Sequence, residues 1–310
     1  MRIIGLPNFG NSCYFNSALQ TLIYNHDLYK TLTKELNRKN KEKDPIVFYF
    51  CQLQSLCLTN DYPVVTENDV INVLKKLHEV IMNHKNFYFT PGEQGDSAEL
   101  IGCLLDHFHE CCKHPVRMTL KNESSFSKEE VECFTAWKKT FETQYSDIIR
   151  DFYGQYVSAL TCLSCNHVSK TYAEYNVLTI PVPHDSPTVE DSLKRFNDTE
   201  TIDGVMCEKC KTKQQCTKQV SLCMVPKHLC IKLFSQHHVQ FVPTLTLDTF
   251  GISHHLKLNS VIYHIGSARG GHYYAHKCVK DKHFLLDDHK VSKPPEVQTR
   301  SAEVLWFTSV

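Results

Sequence analysis

The sequence has no surplus of charge: 34 Lys and Arg balance 34 Asp and Glu over 310 residues. A protein that grips nucleic acid carries an evident basic excess, so this balance speaks against a nucleic-acid binder. No apolar run is long enough to span a bilayer, and the N-terminus lacks the pattern of a signal peptide, so no membrane association is expected. Low-complexity segments and internal repeats are also missing. A chain of this length without them is expected to bury a sizeable core as one unit with subdomains. What the chain does have is cysteine: 15 residues, an odd number that includes the adjacent Cys111 and Cys112. Such usage fits a reducing compartment, cytoplasmic or nuclear, better than a disulfide scaffold.

One of these cysteines stands in a distinctive setting. The run Gly5-Leu6-Pro7-Asn8-Phe9-Gly10-Asn11-Ser12 is rich in turn formers and leads directly into Cys13. After it, Phe15, Ala18, Leu19, Leu22 and Ile23 recur at helical spacing, which puts Cys13 at a helix N-terminus, where the positive end of the dipole favours a thiolate. No histidine lies in the loop or the first helical turns, so an activating imidazole must come from elsewhere. Of the 18 histidines, His272 has the most suggestive context. Gly270 and Gly271 precede it and remove side chains where a substrate backbone can approach. The runs Val261 to Ile265, His272 to Val279 and Phe284 to Leu286 read as strands, with Asp287 and Asp288 just beyond. A carboxylate there can orient an imidazole and stabilise its cation.

Residues 14 to 114 read mainly as helices, with Thr66 and Asp96 as N-caps of two of them. From about Phe152 onward short β-type runs dominate: Val177 to Val182, Leu229 to Phe234, Leu258 to Ile265 and His272 to Val279, interrupted by a short helix over Thr188 to Phe196. Helices first and mostly antiparallel strands afterwards predict an α+β fold with a cleft between two lobes. A second chemical signal is the pair of knuckles Cys162-Leu163-Ser164-Cys165 and Cys207-Glu208-Lys209-Cys210, which together offer four thiolates for a closed tetrahedral zinc site. Their separation exceeds that of a compact zinc ribbon, and four reduced, metal-free cysteines at strand ends are the competing reading. Cys111, Cys112 and His114 also cluster in sequence, but the end of an amphipathic helix is the better account.

The segments around Cys13 and His272 resemble the Cys box and His box of the ubiquitin-specific proteases, the papain-like cysteine deubiquitinases built of fingers, palm and thumb. Gln94-Gly95-Asp96-Ser97-Ala98-Glu99-Leu100, Phe152 to Gln155, Val225 to Leu233 and Val304 to Phe307 resemble further family segments, so the likeness covers nearly the whole chain. The resemblance implies Cys13 as nucleophile, His272 as general base, Asp287 as the residue that orients it, Asn8 as oxyanion donor and Asp288 as a supporting acid. It implies Asp96, Glu99, Gln94, Gly270, Gly271 and Tyr273 as contacts for the ubiquitin tail, and structural zinc on Cys162, Cys165, Cys207 and Cys210 in zinc-ribbon-like fingers. It divides a single catalytic domain, 1–310, into a helical thumb (about 1–150), fingers (151–225) and palm (226–310).

The activity so implied is thiol-dependent hydrolysis of the isopeptide or peptide bond after the C-terminal glycine of ubiquitin, with ubiquitin, ubiquitinated proteins and an adaptor as partners. A protease for another ubiquitin-like modifier and a non-catalytic ubiquitin-binding scaffold are the alternatives. Duller roles stand beside the chemical ones: Asn8 as a turn former, Asp96 and Glu99 as a capping box, Gly270 and Gly271 as a tight turn, Asp287 and Asp288 as a solvated strand end. The chain departs from the family pattern at Gly95, Leu100 and Leu286, and in a short stretch from Ser235 to Leu258. It is expected to be little more than a catalytic core.

Overall fold

The structure is a computed structural model and describes residues 2–38, 43–59, 65–182, 188–234, 239–267, 270–293, 297 and 302–310. The first half is helical: α1 (Cys13–Leu22), α2 (His26–Leu36), α3 (Pro45–Leu58), α4 (Glu67–Met82), α5 (Ser97–Cys112), α6 (Lys128–Phe141) and α7 (Asp147–Phe152). Side chains that end orphaned amides fix the starts of these helices. Thr66 and Asp69 form a capping box on α4, Ser127 and Glu130 another on α6, and Asp44 accepts from Ile46 and Val47 at the start of α3, where Pro45 takes the first position. Asp96 caps α5 through Ala98 and Glu99 N–H, while the Glu99 side chain stays exposed.

Two sheets follow. The smaller has the order β2-β1-β5-β4 and is antiparallel throughout: β1 (Gly154–Cys162), β2 (Val168–Tyr175), β4 (Glu200–Met206) and β5 (Lys213–Met224). The larger contains β3 (Leu178–Pro181), β6 (His228–Phe234), β7 (Thr244–Thr249), β8 (Ile252–Ser267), β9 (Gly270–Val279), β10 (Lys282–Asp287), β11 (Lys290–Ser292) and β12 (Ala302–Ser309). Its order is β11-β10-β9-β8-β12-β6-β3, with β7 also on β8, and only β3 runs parallel to its neighbour. A short helix, α8 (Val189–Phe196), lies between β3 and β4, capped by Thr188.

α1 is buried on every side, because it lies between α5 and the face of β8, β9 and β10. Phe15, Leu19 and Leu22 share one core with Ala275, Leu286 and Trp306 from the large sheet. Leu286, where the family pattern favours an aromatic, is fully packed in that core. A second core on the large sheet gathers Ile231, Val261 and Leu305 with Leu193 of α8.

One buried amine helps seat α1. Lys277 Nζ on β9 donates to Thr21 O at 2.8 Å and to Asn259 Oδ1 at 2.5 Å. Beside it, the Thr21 and Ser260 hydroxyls lie 3.1 Å apart, and Ser260 Oγ donates to His276 O. Burial pushes the Lys277 ammonium down to about 7. Because the folded pKa lies below the unfolded one, the unfolded chain binds more protons between about pH 7 and pH 10, and stability rises with pH across that window. Comparing urea unfolding of the wild type and Lys277→Met from pH 7 to 9.5 should show the wild type gaining on the variant, with a limiting slope of about 1.4 kcal/mol per pH unit. A pH-independent difference would show that Lys277 is charged in the folded state.

Candidate active site

The loop before α1 is built around the Asn8 side chain. Its Oδ1 accepts from Gly10 N–H at 2.9 Å and Ser12 N–H at 3.2 Å, closing a turn in which Gly10 and Asn11 take positive φ. Ser12, the N-cap residue, gives no side-chain cap to α1; its Oγ accepts from Phe9 N–H instead. The first amides of α1 therefore remain free to face an anion.

Cys13, the first residue of α1, is only 2% exposed. Burial pushes its thiol pKa up and Asp288 adds to this, while the backbone N–H groups of Tyr273, Tyr14 and Cys13 itself pull the other way. The helix-terminus influence anticipated from the sequence is thus present, but desolvation outweighs it. Tyr273, whose amide reaches the sulfur, directly follows His272 on β9. Chain connectivity therefore brings the imidazole to the same end of the α1 and β9 contact as the thiol.

His272 Nε2 lies 2.6 Å from Asp287 Oδ1, both side chains being roughly half exposed. With Nε2–H donating to the carboxylate, Nδ1 is the basic nitrogen. Asp288, next along, sits at φ +49° and joins three segments. Its Oδ1 accepts from Asn16 Nδ2 at 2.7 Å, its Oδ2 from Asn8 Nδ2 at 2.9 Å, and its carbonyl from Leu6 N–H at 2.8 Å. Asn16 Nδ2 also donates to the carbonyls of Leu6 and Pro7. At Gly5 any Cβ would stand 2.1 Å from His289 O, so the close approach of loop and strand end demands glycine. Asn16, Gly5 and Ser12 were not singled out in the sequence. The available signal was the place of Asn16 about one turn after Cys13.

The segment Gln94 to Glu99 faces the same end of β9. Gln94 holds the Gly271 peptide from both sides, Nε2 donating to Gly271 O at 2.5 Å and Oε1 accepting from Gly271 N–H at 2.9 Å. A Cβ on Gly271 would meet His264 Nε2 at 2.3 Å, so this glycine has a packing requirement, whereas one on Gly270 would make only an ordinary contact with Gln94 Oε1 at 3.7 Å. Asp96 is doubly engaged, as the cap of α5 and in an ion pair with Lys232 of β6. The Tyr273 ring is buried and stacks on His264 with centroids 4.3 Å apart, so it presents its backbone rather than its phenol to the cleft. Glu303 of β12 lies behind it. Burial and the nearby Asp96 carboxylate push its carboxyl up to about 6. Lys232, His264 and Glu303 were likewise not singled out, since each reaches the site only through strand pairing.

At the far tip of the small sheet the two Cys-x-x-Cys knuckles meet. Each has the same form: the first Cys N–H bonds the carbonyl five residues on, the fifth N–H returns to the first carbonyl, and Asn166 or Lys211 takes positive φ. The four sulfurs lie within 4.8 Å of one another, with Cys162 to Cys210 at 3.9 Å and Cys165 to Cys207 at 3.7 Å. A tetrahedral ion with sulfur bonds of about 2.3 Å needs edges of about 3.8 Å, so the four cysteines fit a metal ion and are too far apart for disulfides.

A cysteine at a helix start, set against a His–Asp pair on a sheet in an α+β fold, is the arrangement of a cysteine hydrolase. The chain belongs to the ubiquitin carboxyl-terminal hydrolase family, whose model matches residues 4–307. Among its curated relatives, ubiquitin carboxyl-terminal hydrolase 4 of Saccharomyces cerevisiae (strain YJM789) is 26% identical over 365 positions, covering 99% of this chain and 39% of the relative. Ubiquitin carboxyl-terminal hydrolase Usp2 of Drosophila melanogaster is 27% identical over 300 positions, 88% of this chain and 31% of the relative. The chain thus spans well under half the length of these relatives. A solved structure described as the SAGA Ubp8/Sgf11/Sus1/Sgf73 DUB module bound to ubiquitin aldehyde contains a chain with the same fold, at TM-score 0.76 and 18% identity, covering 99% of this chain and 70% of that one. No helix among the described residues is long and apolar enough to cross a membrane.

Proposed function

We propose that this domain is a thiol-dependent deubiquitinase that hydrolyses the bond after the C-terminal glycine of ubiquitin. The observation that carries the reading is the 2.6 Å contact between His272 and Asp287 at the end of the sheet that packs on Cys13. His272 Nδ1 takes the thiol proton, and the sulfur attacks the terminal glycine carbonyl. The developing oxyanion is held by the Cys13 N–H and by the Asn8 Nδ2 hydrogen that Asp288 does not take. The imidazolium, steadied by Asp287, then protonates the departing lysine amine, and water activated by His272 frees ubiquitin from the thioester. Burial raises the Cys13 thiol and so disfavours a standing thiolate, which gives the imidazole a task as base.

In this reading the helical half is the thumb, the small sheet the fingers and the large sheet the palm. The ion at the fingertips is zinc, bound by Cys162, Cys165, Cys207 and Cys210, all as thiolates with no open position. Exposed Glu99 and the unencumbered Gly270 offer the modifier tail a carboxylate and a narrow passage. The partners are ubiquitin, ubiquitinated proteins and an adaptor, in the cytoplasm or nucleus. Asn8→Ala should lower kcat on a fluorogenic ubiquitin C-terminal amide by about 100-fold with a smaller change in KM, the loss typical of one oxyanion donor. An unchanged kcat would reduce Asn8 to a turn former.

One observation favours a second reading, a protease for another ubiquitin-like modifier. The ion pair with Lys232 neutralises Asp96, leaving less negative charge for an arginine-bearing tail. Rates on C-terminal amides of ubiquitin and of other Gly-Gly modifiers test the choice. The proposal expects ubiquitin to be cleaved at least tenfold faster at equal concentration, and the reverse order would replace it.

A further inference from the structure

Away from the cleft, three metal-ligating side chains from two helices converge in the helical half. His107 and Cys111 stand four residues apart on α5 and so share one face. The Cys111 sulfur lies 3.7 Å from His107 Nε2, and the same nitrogen lies 3.0 Å from Asp44 Oδ1 at the start of α3. The three ligand atoms all fall within 4.8 Å of one another. We propose that Asp44, His107 and Cys111 form a second binding site, separate from the fingertip cysteines, for a divalent transition-metal ion of the zinc class.

The argument rests on one nitrogen serving two partners. A neutral imidazole carries either a proton or a lone pair at Nε2. With the proton there, Nε2 donates to the Asp44 carboxylate and has nothing to offer the sulfur. With the lone pair there, it accepts from the thiol and opposes the carboxylate oxygen. A cation in place of that proton satisfies all three donors at once.

The spacing agrees. Tetrahedral bonds of about 2.0 Å to nitrogen and oxygen and about 2.3 Å to sulfur separate nitrogen from oxygen by about 3.3 Å and nitrogen from sulfur by about 3.6 Å. The observed separations are 3.0 Å and 3.7 Å. Asp44 Oδ1 is fixed in place by the Ile46 and Val47 amides, which donate to it at 2.9 Å and 3.0 Å. His107 is itself buried, its side chain 8% exposed, with its ring edge-on to His84 at 4.9 Å between centroids. One thiolate, one imidazole and one carboxylate make a mixed donor set that suits zinc better than calcium or magnesium. The fourth position is left to water or to His84, whose Nδ1 accepts from Asn86 N–H. Such an ion would tie the later turns of α5 to the start of α3.

The test is metal stoichiometry on the full chain, stripped with chelator, reloaded with zinc and freed of excess. Two ions per chain are expected, falling to one in Cys111→Ser, to one in Cys207→Ser, and to none when both changes are combined. Asp44→Asn is the control for folding, because asparagine keeps the helix cap while removing the charge. It should retain the wild-type circular dichroism spectrum and still lose one ion. Cobalt loading of Cys207→Ser should give sulfur-to-metal charge-transfer absorption that disappears with Cys111→Ser. A single ion lost to Cys207→Ser and indifferent to Cys111→Ser, or two ions retained by Asp44→Asn, overturns the proposal. A single ion lost to Cys111→Ser but not to Cys207→Ser would support this site and refute the fingertip one.

Discussion

Cys13→Ala will reduce hydrolysis of a fluorogenic ubiquitin C-terminal amide by at least about 10⁴-fold, the scale seen when a covalent nucleophile is removed from an otherwise intact hydrolase. The prediction follows from the surroundings of the sulfur. The Tyr273, Tyr14 and Cys13 N–H groups all bear on that one atom, and His272 directly precedes Tyr273 on β9. The substitution deletes a small, buried side chain at the first position of α1, where alanine favours the helix. Unfolding transitions and ubiquitin affinity should therefore stay close to wild type while turnover disappears. If alanine at position 13 retains even a tenth of the rate, another group attacks the carbonyl.

Cys207→Ser will have the second largest effect, and on stability rather than on chemistry. Structural zinc contributes about 10–16 kcal/mol of apparent binding energy in small thiolate sites, most of which becomes folding energy of the surrounding turns. Here those turns connect β1 to β2 and β4 to β5, and among the described residues the apolar cluster at the four ligands adds only Cys216 and Val205. The variant should bind one zinc fewer and become sensitive to protease between about residues 162 and 212. The two larger cores, which share no residues with this tip, should hold. A variant with full zinc content and wild-type protease resistance would contradict the assignment.

Where the sequence was informative, it was because local chemistry and burial agreed. The turn formers before Cys13 and the apolar spacing after it located the start of α1 to the residue, and Thr66 and Asp96 each cap the helix expected of them, while Thr188, expected as the first residue of a short helix, is the cap of α8. Strands buried on the large sheet, β6 and β9, begin within two residues of their apolar runs. β8 extends further back than Leu258, to Ile252, where it pairs with β7; of Ile252 to Lys257 only Leu256 is buried, too sparse an apolar pattern to mark a strand. β4 escaped notice for a related reason: it is exposed on both faces, so no periodicity marks it. α6 was legible and went unread, since Ser127 and Glu130 form a capping box before Cys133, Trp137 and Phe141.

In the site, Asn8, Cys13, His272, Asp287 and Asp288 stood in recognisable motifs and the structure brings their segments together. The duller role of Asn8 is also real, because its Oδ1 closes the turn while its Nδ2 faces Asp288. Lys232 pairing with Asp96, and Glu303 behind Tyr273, were invisible because a one-dimensional pattern does not encode which strands become neighbours. The stretch around Cys111 shows the same limit. α5 does end at Cys112, as its amphipathic pattern suggested, yet Cys111 meets Asp44, which lies far away along the chain.

The most direct measurement of the central claim is labelling with a ubiquitin probe that carries a C-terminal electrophile, followed by intact mass and peptide mapping. The account predicts one ubiquitin per chain, attached to the peptide containing Cys13, with labelling abolished in Cys13→Ala and strongly slowed in His272→Ala. An adduct on any of the other fourteen cysteines, or no adduct on a folded protein that binds ubiquitin, would contradict it.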